Sequence, residues 1–227
     1  MTSAGAAKSN TRRGLAVRII VTAIGISVWF WTQSLVSKRP VPASGIGDGL
    51  HLLSAPLNQF FFVHPIAANS LMIVSSGVID ILAIFLLAEW IFGRSVRPFL
   101  GLVILLGLRQ VMEGLCALPN PDNTIWHYPG FPSLLVTYGV ANDYFFSGHT
   151  AIAVFAATEL VRLGRRWLKL FAVVVVLFEV TTVLVLRAHY TMDVFTGFIT
   201  ALYVAHLSQQ ISPALDRRLA RYFEWAG

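Results

Sequence analysis

The sequence predicts an all-α polytopic membrane protein, with six transmembrane helices in one bundle and both termini cytoplasmic. Three observations carry that expectation. Hydrophobic residues make up 56% of the 227-residue chain and charged residues only 12%, against about 25% charged in a soluble globular domain. Mean hydropathy is +0.69. The apolar residues fall in six runs, and the basic residues gather at alternate ends of those runs. The net charge of +6 therefore reads as an orientation signal, because Lys and Arg accumulate in cytoplasmic loops. No nucleic-acid partner is expected. A single cysteine, Cys116, excludes an internal disulfide and any cysteine-built metal site.

A bilayer core needs about 20 mainly apolar residues per helix. The first span is expected over 19–36, between Arg18 and Lys38, after a small, polar, basic cytoplasmic tail over 1–18. No small-residue cleavage site follows this run, so a retained span is expected in place of a signal peptide. A Pro/Gly-rich linker over 40–49 leads into the amphipathic stretch 51–64. That stretch is too short and too mixed to cross, and reads as an interfacial helix near 49–64. Spans two and three are expected over 66–88 and 99–118, followed by a polar loop rich in Pro and Gly over 119–142. Spans four, five and six are expected over 147–160, 170–186 and 191–211, which makes 19–211 the membrane domain. Residues 212–227 form a second basic cytoplasmic tail. Six helices put Arg18, the pair Arg94 and Arg97, the cluster Arg162, Arg165, Arg166 and Lys169, and the final Arg217, Arg218 and Arg221 on one side.

Ionisable residues inside a span suggest function, because lipid excludes charge. Asp80, Arg109, Glu113 and Glu179 fall in the predicted spans. Asp80 and Glu179 are expected to pair in the bundle interior or to reach an interface. Arg109 and Glu113 share a helix face, four residues apart, where each can neutralise the other. Arg109 also lies close to the outer loop.

The chemistry gathers in two motifs. Near the outer end of span four the chain reads Asp143-Tyr-Phe-Phe-Ser147-Gly148-His149-Thr150, and at the outer end of span five Arg187-Ala-His189-Tyr-Thr-Met-Asp193. The chain crosses inward after His149 and returns before His189, so both histidines are expected at one depth on the non-cytoplasmic face. His189 and Asp193 lie one helical turn apart. A carboxylate beside an imidazole fixes its tautomer and stabilises the cation that develops when the ring attacks. A second histidine opposite can protonate a departing alkoxide. Arg109 and Arg187 suit phosphate oxygens. Ser147, Gly148 and the amides of a helix start add anion contacts. Neither motif alone is diagnostic; the two together, in a topology that brings them face to face, point to phosphoryl transfer without a cofactor. His189 and Asp193 supply too few ligands for a closed metal site.

These residues resemble the type-2 phosphatidic acid phosphatase superfamily, and most closely its sphingomyelin synthase-like branch. The branch pattern runs Asp-Tyr/Phe into Ser-Gly-His-Thr, then His-Tyr-Thr-x-Asp-Val, matched here by 143–150 and 189–194. Arg109 with Leu118-Pro119-Asn120-Pro121 is a third match, and 57–69 is similar to the plant phosphatidylcholine:diacylglycerol cholinephosphotransferases. The resemblance implies His189 as the nucleophile of a phosphohistidine, Asp193 as its orienting partner and His149 as the acid-base residue. The phosphatases' first motif of Lys followed by Arg-Pro is absent. Phe146 replaces their proline before Ser-Gly-His, Val183 replaces their more distant Ser-Arg, and Arg187 sits two residues before His189.

The leading expectation is an integral membrane phosphotransferase that moves a phospho-headgroup from a phospholipid donor to a diacylglycerol or ceramide acceptor. A lipid phosphate phosphatase or phospholipase C-type hydrolase with the same histidines is the alternative. A transporter or scaffold is a third reading; it requires the convergence of His149, His189 and Asp193 to be accidental. A homo-oligomer is left open. Asp143 suits either a cationic headgroup or the histidine network. Trp126, Tyr128, Tyr138 and Tyr144 suit a quaternary-ammonium cage, though an interfacial aromatic belt explains them more simply.

Overall fold

A computed structural model describes residues 3–38, 45–139 and 144–223. Every regular element among them is helical, and the chain divides into two compact units, 1–47 and 48–227. The first unit holds α1, Ser3–Val36. Its apolar part, Ala16–Val36, has 21 residues, about the length of a bilayer core at roughly 1.5 Å per residue. The helix also continues back through the segment expected as a tail. Ala4, Ala6, Ala7 and Lys8 are strong helix formers, so polarity there does not prevent it.

The second unit begins with the interfacial stretch, which is two helices and not one: α2, Gly49–Leu53, and α3, Ala55–Val63. The Ser54 hydroxyl donates back to the Leu50 carbonyl at 2.7 Å, and Pro56 opens α3, where its missing N–H costs nothing. Pro65 likewise opens α4, Pro65–Ile91. Then come α5, Arg97–Leu115, and, after a long loop, α6, Gly148–Arg162, α7, Arg166–Val185, and α8, Thr191–Phe223. Helix α5 stops short of the expected Leu118 because Cys116 turns extended, on the approach to Pro119. Helix α8 overruns the expected Ile211 and passes through Pro213. A proline inside a helix removes one backbone bond. The far end is anchored nonetheless: Asp216 accepts the Ser95 hydroxyl and the Val96 amide, both at 2.8 Å, at the start of α5.

Helix α6 is the centre of this unit and packs on α4, α5, α7 and α8. Ala151, Ala153 and Ala156 are buried along it, and such small residues let neighbouring helices approach closely. Phe155 fills the hollow left by Gly101 of α5, where an added Cβ would lie 2.0 Å from its ring. At one end of α6, Glu159 is buried and pairs with Arg97 at 2.5 Å and Arg162 at 3.5 Å. The motif histidines lie at the other end.

Among the described residues, four helices are long and apolar enough to cross a membrane: Ala16–Val36, Pro65–Ile91, Arg97–Leu115 and Arg166–Val185. Of the six expected spans, α6 has only 15 residues, roughly 22 Å, and α8 is long but more polar.

Of the two expectations for Asp80 and Glu179, pairing in the bundle interior is not met. Glu179 is buried and accepts the Ser75 hydroxyl at 2.6 Å, whereas Asp80 binds the loop that follows α5. Asp80 and Glu179 thus have separate partners. Only Arg109 and Glu113 form the anticipated pair, at 2.5 Å.

Candidate active site

The start of α6 positions the first motif. Ser147 is the N-cap, accepting the Thr150 amide at 3.3 Å, which satisfies one of the donors a helix start leaves open. Ser147 is wholly buried and its own amide donates to the Asp193 carbonyl at 3.1 Å. Gly197 of α8 makes room for this tie, since a Cβ there would lie 2.7 Å from the Ser147 carbonyl oxygen. The two motifs are therefore joined through backbone.

The second motif sits on the turn from α7 into α8. Asp193 occupies the third position of α8 and accepts the Tyr190 amide at 2.9 Å, the reach-back half of a capping box. Its Oδ2 is 3.8 Å from His189 Nδ1, beyond hydrogen-bond range. The carboxylate expected beside the imidazole is thus near it without a hydrogen bond to it. Nδ1 donates instead to the Tyr144 carbonyl at 2.9 Å. A carbonyl only accepts, so the proton is on Nδ1 and the neutral ring's lone pair is on Nε2. Asp193 is fully buried, and its Oδ1 has no hydrogen-bond partner among the described residues.

Both histidines line one cavity of about 710 Å³, together with Arg109, Gly148, Trp126 and Tyr144. His149 is buried, with its ring edge-on to Trp126 at a centroid distance of 5.0 Å. Arg109 donates from Nε to the Phe146 carbonyl at 3.0 Å. Its guanidinium lies against Gly148, where an added Cβ would come within 3.0 Å of Nε. A cation and the positive end of the α6 dipole therefore share this wall, an arrangement suited to an anion.

Arg187 is placed otherwise than expected. It is buried in the left-handed region at φ 54° and donates to the Asp122 carbonyl at 3.0 Å and the His51 carbonyl at 3.1 Å. Its guanidinium clamps main chain and is not part of the cavity lining. Ser147 is also outside that lining, occupied by its cap. Asp143 lies outside the described residues. Among those described, no group of three or more His, Cys, Asp or Glu side chains is placed to hold a metal ion.

Several supporting residues were not singled out by sequence reasoning. Asp48 caps α2 through the Leu50 and His51 amides at 2.9 and 3.1 Å, and also takes the Thr191 amide and hydroxyl, both at 2.6 Å. Burial alone would raise its carboxyl, but the bonds from Thr191 and His51 hold it below the ordinary value. His51 donates from Nε2 to the His189 carbonyl at 2.9 Å and stacks on Tyr190. Asn58 donates to the Val185 carbonyl at 2.9 Å. Burial, then the charges of Asp122 and Asp193, push the Tyr190 phenol up, so it stays protonated and donates to the Pro119 carbonyl at 3.1 Å. An Asp before an apolar run is an N-cap signal, so Asp48 had a local signature. Its reach to Thr191, and the contacts of His51 and Asn58 with main chain, had none.

A family model described as AtPDCT1/2 matches residues 48–210, well over half of the chain and all of the site above. No curated protein and no solved structure gives a significant match. The match begins at Asp48, the first residue of the second unit, and joins a set of long apolar helices to lipid headgroup chemistry. The chain belongs to the phosphatidylcholine:diacylglycerol cholinephosphotransferase family, and is a membrane enzyme of lipid headgroup transfer.

Proposed function

We propose that this chain moves the phosphocholine of phosphatidylcholine onto diacylglycerol through a phosphohistidine on His189. The observation that carries the reading is the shared cavity: both motif histidines line it, and His189 has its Nδ1 proton committed to the Tyr144 carbonyl. Nε2 is then the nucleophile. It attacks phosphorus as the bond to the diacylglycerol oxygen breaks, and His149 gives that oxygen its proton. In the second half, His149 takes the proton of the incoming hydroxyl, whose oxygen displaces Nε2. Leaving group and acceptor are both diacylglycerols, so one proton carrier serves both halves. Arg109 and the first amides of α6 hold the phosphoryl oxygens. Asp193 stabilises the cationic ring by charge, and Arg187 shapes the turn that presents His189.

In the membrane we propose six spans, with α6 and α8 completing the set, both termini cytoplasmic and the cavity on the opposite face. The arginine groups between alternate helices support that orientation.

The test is the purified enzyme in nanodiscs holding headgroup-labelled phosphatidylcholine, with diacylglycerol or ceramide of distinguishable acyl chains. New labelled phosphatidylcholine is expected, and its loss in His189→Ala and His149→Ala. A product formed only with ceramide would move the acceptor class. Water-soluble phosphocholine as the sole product would make the enzyme a hydrolase.

A further inference from the structure

Ser76 and Asp80 lie one turn apart on one face of α4, and both grip the loop that follows α5. Asp80 accepts the Ser133 hydroxyl at 2.9 and 3.0 Å, the Leu134 amide at 2.9 Å and the Leu135 amide at 3.1 Å. Ser133 in turn accepts the Val136 amide at 3.1 Å. The Ser76 hydroxyl meets the Tyr138 hydroxyl. This is why a carboxylate is tolerated within a membrane helix: its oxygens are saturated by donors. The strap so held supplies Leu135, Val136, Thr137 and Gly139 to the cavity wall. Tyr138 stacks on Trp126 at 5.3 Å, and Trp126 meets the His149 ring. Two points on α4 are thus connected, through one strap, to the ring at which protons are exchanged.

We propose that the strap Ser133–Gly139, held by Asp80 and Ser76, keeps water from the phosphohistidine and so commits the headgroup to a lipid alcohol. This rests on the transfer reading above. Transfer breaks the Nε2–P bond as the acceptor's hydroxyl oxygen bonds to phosphorus and its proton passes to His149. Hydrolysis breaks the same bond by a water oxygen, passes a proton to the same His149, and releases the free phosphorylated headgroup. The reactions differ only in the oxygen that reaches phosphorus, so the outcome depends on access and not on a different set of catalytic groups. Leu135, Val136 and Trp126 put apolar surface on that approach. Asp80 is a positioning residue, since it acts through the strap.

The experiment counts both products from one labelled donor in nanodiscs, as new phosphatidylcholine and as soluble phosphocholine. Asp80→Asn and Tyr138→Phe are each expected to raise the ratio of soluble to lipid product roughly three- to tenfold, as expected for loss of one hydrogen bond holding the strap. Tyr138→Phe keeps the ring on Trp126 and loses only the hydroxyl contact, so it carries the test if Asp80→Asn does not fold. Arg97→Ala, at the other end of the helices, is the comparison for general destabilisation and is expected to leave the ratio unmoved. Both products falling together in Asp80→Asn and Tyr138→Phe, at an unchanged ratio, would overturn the strap's role while leaving headgroup transfer intact. A wild-type enzyme that makes no lipid product would overturn the transfer reading, and the strap's role with it.

Discussion

His189 donates its Nδ1 hydrogen to the main-chain carbonyl of Tyr144 at 2.9 Å, while Asp193, one turn further on, stands 3.8 Å from the same nitrogen. The backbone of the first motif therefore sets the tautomer of the second. Side-chain substitution at 144 leaves that carbonyl in place, and the bond holds only while the start of α6 and the turn before α8 keep their register. Ser147 and Gly197 maintain that register.

On the proposed mechanism Asp193 accordingly has two separable duties. Asp193→Asn keeps an oxygen for the Tyr190 amide, so it is expected to fold while losing transfer about ten- to hundredfold through the missing charge. Asp193→Ala also loses the cap, and its unfolding stability is expected to fall by about 1 kcal/mol more. Transfer rate and thermal unfolding in detergent separate the two. A wild-type rate in Asp193→Asn would remove the electrostatic duty.

Asp48 gives the fold an acid limb. Its folded carboxyl lies below the ordinary value of 3.8, so the ionised form contributes stability above that value, which is lost as pH falls through the lower folded value. Asp48→Asn is expected to be less stable at neutral pH and to lose less on acidification. The wild-type and variant Tm curves should converge below about pH 4. Parallel curves down to pH 3 would show that the carboxylate's bonds to Thr191 and His51 contribute nothing.

The two glycines of the site should differ in what their loss does. Gly148→Ala meets the flexible Arg109 side chain at 3.0 Å, so the protein folds and the guanidinium shifts. Transfer is expected to drop about tenfold, chiefly in KM for the donor, because on the proposed mechanism Arg109 holds the phosphate and a small displacement of such a group is amplified in rate. Gly197→Ala meets the Ser147 backbone oxygen at 2.7 Å, which cannot yield without moving α6 from α8. It is expected to cost about 1–3 kcal/mol of stability. Kinetics on the first and unfolding on the second check the pair; equal behaviour would mean the two contacts are misassigned.

Much of this was legible in the sequence because hydrophobic runs and helix periodicity are local. The helices, the convergence of His149 and His189 on one cavity, and the Arg109–Glu113 pair follow from spacing alone. Charge in a span was a weaker guide. Asp80 and Glu179 looked alike, yet one binds the loop and the other a serine of α4, because their partners lie more than fifty residues away. Arg187 looked like a phosphate ligand from its place beside His189. Its left-handed backbone turns it toward the carbonyls of Asp122 and His51 instead, and no pattern along the chain encodes where a carbonyl will be. The same holds for the Tyr144 carbonyl, a main-chain group that any residue type supplies.

The covalent step at His189 is tested most directly by supplying labelled phosphatidylcholine without added acceptor, quenching in alkali, where a phosphohistidine survives, and locating the label by peptide mass spectrometry. Phosphocholine on the peptide containing His189, absent from His189→Ala and discharged into new phosphatidylcholine when diacylglycerol is added, is the expected result. Label on another residue, or continued transfer by a folded His189→Ala enzyme, would contradict it.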